Sequence, residues 1–521
     1  MTDQVARFLT APTIQTSTNS NISDLGLTVT QLGGTDLVVA SGELILDQTP
    51  VSVNSITVNP GAKLTLASGK TLTAGTLTLQ SDATNGSATF VDNGGTLSAT
   101  ATVQQYLTGA RNWYFTSPIT SATSNVVTGT VGNQLWSYSE PGYNWNPITA
   151  TDSTLHVGNG YVAKLAIDGT LSFTGTLNTG NQQVSLIRTE NGKAKRGFNL
   201  IGNPYPSYLD PTTVINSAPE MENTVWYRIK VSSTYHFETV NTTSGIGTNN
   251  SGAGAVTKYI PPMQAFWVRV APTYTAKSLT FTNTMRSHEA GTNRLRVKEQ
   301  NTQQIVRLQV SNGISSDETV LYSDPNASGS YDPYDSQKMT NSIASIPEIY
   351  TLAGTEQLAI NGLDVIPYDT EFPIGFTTGQ AGTNFSIKAS QFSNFETGIQ
   401  ILLHDYLLNT TQDLAMADYS FTSDAVATST RFTVLFKAPS VATGINQNAN
   451  ANVWISLANN QILVNGVSGE STVAVYNAVG QRLVSQRLIA STKSVGTFVP
   501  GVYLVTVTNS SKSVTQKVII K

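Results

Sequence analysis

The C-terminal part of the chain reads VAVYNAVGQRLVSQRL over residues 473–488 and FVPGVYLVTVTNSSKSVTQKVIIK over residues 498–521. Apolar residues recur with the two-residue period of half-buried strands at Val473, Val475, Tyr503, Val505 and Val507. Turn-forming residues interrupt the runs at 477–480 and 509–512. We therefore predict a small antiparallel, immunoglobulin-like β-sandwich whose last strand is the chain terminus.

Several short motifs in this region, taken in order, carry a resemblance to a known family. Residues 453–521 are similar to the C-terminal type A sorting domain found in substrates of the type IX, or Por, secretion system. The residues that fall on its pattern are Tyr476, Gly480, Gln481, Gly501, Tyr503, Leu504 and Lys517. An unrelated immunoglobulin-like terminal domain is the alternative interpretation.

The resemblance implies a route and partners for the chain. The chain would cross the periplasm and the outer membrane and would be secreted or held on the cell surface. Its partners would be the type IX secretion machinery, namely the outer-membrane translocon and the shuttle barrel that binds the sorting domain. The sorting domain itself is often removed at the cell surface.

The composition of the chain narrows the classes of function. Charged residues make up only 12% of the 521 residues, against roughly 25% in ordinary soluble domains. The net charge is −4, which indicates no basic surface for nucleic acid. Cysteine is absent, and this excludes disulfides, thiol catalysis and Cys-ligated zinc. The low charge is made up by Thr, Ser, Asn and Gly, which are residues of strands and turns.

The beginning of the chain lacks the features of an export leader. Residues 1–19, MTDQVARFLTAPTIQTSTN, contain no apolar core of about seven residues. No stretch approaches the roughly 18 consecutive apolar residues of a membrane-spanning helix, so we predict no transmembrane segment. We expect that the inner-membrane signal was removed or truncated, or that the chain is the C-terminal portion of something longer.

The first part of the chain has the pattern of a stacked repeat. We expect residues 1–23 to be irregular. Residues 24–102 consist of short apolar runs separated by turn pairs such as Pro60-Gly61. Because each run is too short to bury its own face, stacking of successive runs would build one continuous core. We therefore predict a β-helix-like stalk, with an ordinary antiparallel meander as the alternative.

Residues 103–290 are rich in aromatic residues and predict a second β domain with long loops. The stretch NQLWSYSEPGYNWNP at residues 133–147 combines aromatic residues with turn signals. Exposed aromatic rings on loops can stack on sugar rings, so the candidate glycan contacts are Trp136, Tyr138, Tyr143 and Trp145. The alternative is that these rings belong to the core, as Trp and Tyr mostly do in β domains.

Residues 291–438 show short strands at regular spacing with turns between them, which predicts a jelly-roll-like β-sandwich. Acidic residues cluster in its first part, and Asp332 and Asp335 are weak candidates for calcium ligands. Solvated turn acids or local ion pairs are the alternative. Residues 439–452, rich in Asn and Ala, predict a linker to the sorting domain at 453–521.

No motif for catalysis is present, so we predict that the protein is not an enzyme and uses no cofactor. The four histidines lie far apart in the sequence, without HExxH spacing, and no GxSxG elbow occurs. The favoured function is a non-enzymatic adhesin-like or cargo protein of the cell surface. The alternative is a glycan-binding module, or the C-terminal part of a carbohydrate-active enzyme whose catalytic domain lies upstream.

Overall fold

The computed structural model shows an all-β protein, which confirms the fold class predicted from the sequence. The residues that the structure describes are 12–49, 51–190, 192, 195–231, 234–288, 302–341, 343–423, 427–438, 454–458, 460–467, 470–489, 492–509 and 513–520. The predicted linker at 439–452 lies outside the described residues. The chain divides into two compact units, Met1–Lys437 and Ala438–Lys521.

The first unit begins with a stack of strands in two sheets. The strands are β1 (Thr13–Thr16), β2 (Ser20–Asn21), β3 (Asp36–Val39), β4 (Glu43–Leu46), β5 (Val51–Val58), β6 (Lys63–Leu66), β7 (Thr71–Leu79), β8 (Ser81–Asp82), β9 (Gly86–Ser87), β10 (Thr89–Asp92) and β11 (Thr96–Leu107). Two helical segments lie in the first turns, the 3-10 helix Ile22–Leu25 and α1 (Val29–Leu32).

Parallel pairing makes this stack a solenoid rather than a meander. One sheet runs in the order β1-β3-β5-β7-β11 and the other in the order β10-β6-β4-β2. Successive strands place apolar residues of the same register above one another, and a ladder of this kind consists of the buried Val39, Val58, Leu79 and Val103. The short runs therefore bury their faces against each other, as the sequence predicts.

The solenoid extends beyond its predicted limits at both ends. Strands β1 and β2 form the first rung of the solenoid. They lie within residues 1–23, which the sequence predicts to be irregular. The alternation could not be recognised there because Ile14 is the single apolar residue of β1. At the other end, β11 runs past residue 102 and continues the sheet into the next part of the unit.

The aromatic-rich part follows in the same unit. Its strands are β12 (Asn112–Phe115), β13 (Gln134–Ser139), β14 (Asn144–Pro147), β15 (Tyr161–Lys164), β16 (Gly169–Gly175), β17 (Gln182–Ile187), β18 (Phe198–Gly202), β19 (Tyr208–Leu209), β20 (Thr224–Val231), β21 (Thr234–Asn241), β22 (Ala265–Arg269), β23 (Ala276–Phe281) and β24 (Arg286–Ser287). Short helical segments are α2 (Asn125–Thr128), α3 (Thr212–Asn216) and the 3-10 helix Asn283–Met285.

Two four-stranded sheets dominate this part, in the orders β12-β15-β13-β14 and β18-β22-β20-β21. Strand β16 pairs antiparallel with β11, so one sheet of the solenoid continues into the aromatic-rich part. One hydrophobic core accordingly runs from the solenoid into this part and includes Phe115, Tyr161 and Phe173.

Residues 302–437 form the last part of the first unit. The strands are β25 (Ile305–Ser311), β26 (Ser316–Ser323), β27 (Ser336–Gln337), β28 (Glu348–Ala353), β29 (Glu356–Leu363), β30 (Glu371–Thr377), β31 (Thr383–Ser393), β32 (Gln400–Asp405), β33 (Thr410–Asp413), β34 (Tyr419–Ser423) and β35 (Ala427–Lys437). These strands belong to one continuous sheet, which runs from β33 at one edge to β34 at the other.

This sheet curls until its two edges nearly meet around one core. The Tyr419 hydroxyl of β34 lies 3.1 Å from the Thr410 hydroxyl of β33, at the opposite end of the strand order. The core is filled by rings such as Phe376, Phe385 and Phe432. The predicted sandwich is therefore built by folding a single sheet over itself.

The second unit is a sandwich of two antiparallel sheets, in the orders β36-β37-β40 and β39-β38-β41-β42. The strands are β36 (Trp454–Ala458), β37 (Gln461–Asn465), β38 (Ser471–Asn477), β39 (Arg482–Leu488), β40 (Thr492–Thr497), β41 (Gly501–Asn509) and β42 (Ser513–Ile520). Its core includes Val473, Val475, Tyr503, Val505 and Val507, the residues whose alternation predicted the strands.

Candidate functional site

An open cleft of about 500 Å³ lies in the aromatic-rich part of the first unit. The β12-β15-β13-β14 sheet supplies one wall, and the β18-β22-β20-β21 sheet supplies the other. All four residues proposed from the sequence as glycan contacts line this aromatic cleft, namely Trp136, Tyr138, Tyr143 and Trp145. The structure thus brings the whole predicted set into one place.

The hairpin β13–β14 carries all four of these rings. Tyr138 lies opposite Trp145 in the strand register, and their ring centroids are 5.3 Å apart at 61°. Tyr143 lies in the turn with a left-handed φ of 52°, a conformation that costs a non-glycine residue on the order of 1 kcal/mol. A strained aromatic residue at the mouth of a cleft is more typical of a functional site than of a simple connection.

A buried carboxylate holds the turn of this hairpin in place. Glu140 accepts hydrogen bonds from the backbone N–H groups of Gly197, at 2.6 Å, and Thr189, at 3.0 Å. Gly197 directly precedes β18 in the opposite wall of the aromatic cleft, and Thr189 follows β17. Glu140 therefore ties the two walls together, which fixes the distance between the rings that each wall carries.

Among the further aromatic residues that line the cleft and were not identified from the sequence, two contact the predicted rings directly. Trp267 on β22 lies edge-to-face with Tyr138, with ring centroids 4.7 Å apart, and with Trp145, at 6.0 Å. Tyr114 on β12 contacts both Trp145 and Trp267. Trp267 and Tyr114 are buried, whereas Trp145 is 40% exposed and Tyr143 36% exposed. The cleft therefore has a buried aromatic floor and an exposed aromatic rim.

The tyrosine hydroxyls of the cleft remain protonated at neutral pH. Burial raises the pKa of Tyr114 to about 12 and raises the pKa values of Tyr138 and Tyr143 as well. Each hydroxyl can therefore donate a hydrogen bond to an oxygen-rich ligand and can also accept one.

Positively charged groups line one end of the aromatic cleft. The Arg228 guanidinium lies 4.7 Å from the ring centroid of Phe237 and 5.4 Å from that of Tyr235. The Lys195 ammonium lies 5.7 Å from the Phe237 ring and donates a hydrogen bond to the Thr340 carbonyl at 2.9 Å. Burial lowers the pKa values of both cations. We call this end, formed by these four residues, the cationic end.

The calcium candidates Asp332 and Asp335 accept hydrogen bonds from backbone N–H groups. The Asp335 carboxylate accepts hydrogen bonds from the backbone N–H groups of Asp332 and Gly362, each at 2.9 Å. Asp332 in turn accepts from the backbone N–H groups of Ser328 and Tyr334. Both side chains thus order a loop. Among the described residues, no three His, Asp or Glu side chains come close enough together to hold a metal ion.

The residues predicted for the sorting signal divide into structural and exposed positions. Gly480 has a φ of 81° in the β38–β39 turn, and Gln481 donates its backbone N–H to the Asn477 side chain at 2.9 Å. Tyr503 is buried, and its hydroxyl donates to the Val499 carbonyl at 2.8 Å. These contacts build the turn and the core of the second unit.

The remaining sorting-signal residues lie on or near the outer face of the four-stranded sheet. Tyr476 on β38 pairs with Leu504 on β41, which pairs with Lys517 on β42. Leu504 and Lys517 are exposed, and Gly501 at the start of β41 is partly exposed. The last strand, β42, pairs with β41 alone and forms an edge of the sheet.

Comparison with known families identifies both units. Residues 35–436 match the family described as "Domain of unknown function (DUF8693)", and residues 449–521 match the family described as "Secretion system C-terminal sorting domain". No curated protein matches the chain. The second match confirms the resemblance seen in the sequence, and the chain is a type IX secretion substrate that reaches the cell surface or the extracellular space. No helix in the described part of the chain is long and apolar enough to cross a membrane.

Proposed function

The chain belongs to the DUF8693 family of domains of unknown function and carries a type IX sorting domain. For the first unit we propose a function from the geometry of the aromatic cleft. We propose that it is a non-enzymatic, adhesin-like protein that binds carbohydrate through the aromatic cleft. In a longer protein with a catalytic domain, the same cleft would serve as the binding module of a carbohydrate-active enzyme.

The observation that carries the proposal is the arrangement of rings at the rim of the cleft. Trp145 and Tyr143 stay exposed although apolar surface in water is unfavourable, and both are held by a hairpin that is fixed to the opposite wall. The apolar face of a sugar ring would cover them, while the protonated tyrosine hydroxyls bond to its oxygen atoms.

The chemistry of the cleft supports binding rather than hydrolysis. The described residues that line the cleft are aromatic, aliphatic, amide and cationic. Most glycosidases instead place two carboxyl groups about 5–10 Å apart across the scissile bond. The nearby Glu140 carboxylate accepts backbone hydrogen bonds and ties the walls together, so its role here is structural.

A glycan array with the full chain tests the proposal. We expect Trp145→Ala and Tyr143→Ala each to weaken binding about tenfold or more, because each removes a stacking surface worth roughly 1.5–3 kcal/mol. Tyr274→Ala is the matched control, since Tyr274 is also 36% exposed but lies outside the cleft. A chain that binds no glycan, or that binds equally well after all three substitutions, would refute the proposal.

A further inference from the structure

The cationic end of the cleft contains a guanidinium, that of Arg228, which plays no part in the stacking and hydroxyl contacts proposed above. In the part of the chain that the structure describes, the Arg228 guanidinium has no carboxylate partner and donates no hydrogen bond to the protein. Its contacts are the faces of Phe237 and Tyr235. The guanidinium faces the cleft, where it is partly buried.

Several buried arginines of this protein pair with a carboxylate. Arg307 pairs with Glu318 at 2.6 Å, Arg431 pairs with Asp405 at 2.8 Å, and Arg269 lies 3.1 Å from Glu222. A buried charge without a partner is unfavourable by several kcal/mol in general. Arg228 is partly buried and has no such partner among the described residues, and it faces a cleft in which a ligand could supply the anion.

Further cations surround the same rings. The Lys230 ammonium lies 6.0 Å from the Tyr235 ring centroid, and the Lys195 ammonium lies 5.7 Å from that of Phe237. Arg111 stacks on Trp113, next to Asn112, whose backbone N–H donates to the Tyr235 hydroxyl at 2.7 Å. This positive potential stands out on a chain of net charge −4 and favours an anionic ligand.

We propose that the aromatic cleft binds an acidic saccharide, a sugar that carries a carboxylate, and that Arg228 pairs with this carboxylate while the rim rings stack on the sugar. The assignment rests on the carbohydrate-binding function proposed above. The planar guanidinium matches a carboxylate with two parallel hydrogen bonds. The cleft volume of about 500 Å³ falls in the range of roughly 300–1,000 Å³ that is typical of small-ligand sites.

The test is a titration of the full chain with a hexuronate oligosaccharide, with its methyl ester and with a sulfated oligosaccharide of the same length. The ester keeps the sugar rings and removes the charge of the carboxylate alone. We expect the free acid to bind about 10- to 100-fold more tightly than the ester, as a charge-assisted hydrogen-bonded pair would give. This comparison requires no variant and so does not depend on the folding of a mutant protein.

Variants then assign the preference to Arg228. Arg228→Gln should bring the affinity for the acid down to that for the ester, and Arg228→Lys should restore part of the difference. Lys493→Gln is the control, because it removes the same charge at an exposed position of the second unit.

The outcomes separate the two proposals. Equal affinity for acid and ester that persists in Arg228→Gln but is lost in Trp145→Ala would overturn the acidic ligand and leave carbohydrate binding in place. Tight binding of the sulfated sugar with none of the carboxylate form would overturn the uronate assignment. Failure to bind any of the three ligands would overturn the acidic-saccharide proposal, and the glycan array would then decide separately whether the cleft binds carbohydrate at all.

Discussion

Asp405 and Arg431 form a buried ion pair that we expect to be important for the stability of the eleven-stranded sheet. The Arg431 guanidinium donates to the Asp405 carboxylate at 2.8 Å, and the Tyr419 hydroxyl donates to the same carboxylate at 2.9 Å. We predict that Asp405→Asn lowers the free energy of unfolding by about 3–5 kcal/mol, because it leaves Arg431 buried and unpaired. Chemical denaturation of the chain measures this loss.

The control for this substitution lies in the same sheet. Asp369 pairs with Lys437 at 3.2 Å, but both side chains are about half exposed. Asp369→Asn should therefore change the free energy of unfolding by less than about 1 kcal/mol. Equal effects of the two substitutions would show that burial does not decide the strength of these pairs.

Glu222 predicts a pH dependence of stability near neutrality. Burial raises its pKa to about 7, although the Arg269 guanidinium lies 3.1 Å away and opposes the shift. Between its ordinary pKa of 4.5 and pH 7, the folded state holds a proton that the unfolded state has released. The free energy of unfolding should therefore fall as the pH rises through this window, by at most about 1.4 kcal/mol per pH unit from this group.

Denaturation at several pH values between 4.5 and 8 checks the sign and the origin of this dependence. Glu222→Gln should reduce the slope of the curve, since glutamine does not titrate. Part of the slope should remain, because burial also raises the pKa values of Asp335 and Glu348 to about 7. Glu220→Gln is the neighbouring control, because the Lys277 ammonium donates a hydrogen bond to the Glu220 carboxylate at 2.9 Å and lowers the pKa of that partly exposed carboxyl. A parent curve that rises with pH over this window would contradict the assignment to Glu222.

At the residue level, the sequence predicted the hairpin side of the cleft but not the side that carries Arg228. Trp136, Tyr138, Tyr143 and Trp145 lie within ten residues and among turn signals, so their proximity was visible in the sequence. Arg228 lies in a strand far along the chain, and only the pairing of β20 with β21 places it over its rings. Long-range strand pairing of this kind leaves no local signal.

At the level of elements, we expect the stability of the solenoid to depend on the buried ladder residue Leu79. Leu79 is fully buried between Val58 and Val103 of the neighbouring strands. Leu79→Ala should lower the free energy of unfolding by about 2–5 kcal/mol, because it removes buried apolar contacts and leaves a cavity in a column that cannot collapse freely. Chemical denaturation of the chain measures the effect.

Thr76→Ala on the same strand is the control for the ladder, since Thr76 is exposed and its loss should cost less than about 0.5 kcal/mol. A loss below about 1 kcal/mol for Leu79→Ala would mean that neighbouring rungs do not depend on this side chain. That result would conflict with a core shared along the stack.

The elements themselves were largely predictable, whereas their connections were not. The alternation in the terminal runs and the short runs before residue 102 predicted strands that the structure contains, including the parallel stack. The junctions depend on contacts between distant segments. The Trp226 indole donates to the Gln337 carbonyl at 3.0 Å, and this bond joins the aromatic-rich part to the sheet that follows it.

At the level of the whole molecule, the aromatic cleft and the sorting signal lie in different compact units. The aromatic cleft is formed within Met1–Lys437, and the residues of the sorting signal lie within Ala438–Lys521. Each unit has its own hydrophobic core. We therefore expect the export function and the binding function to be separable by truncation.

The last prediction concerns removal of the sorting domain, residues 449–521. The truncated chain should keep the thermal transition of the first unit and, where the parent binds a glycan, the same affinity, because every described residue that lines the cleft lies in the first unit. In cells with an active type IX system, it should remain in the periplasm instead of reaching the surface or the medium. Fractionation followed by immunoblotting measures the export. Normal export of the truncated chain would show that another segment carries the export signal.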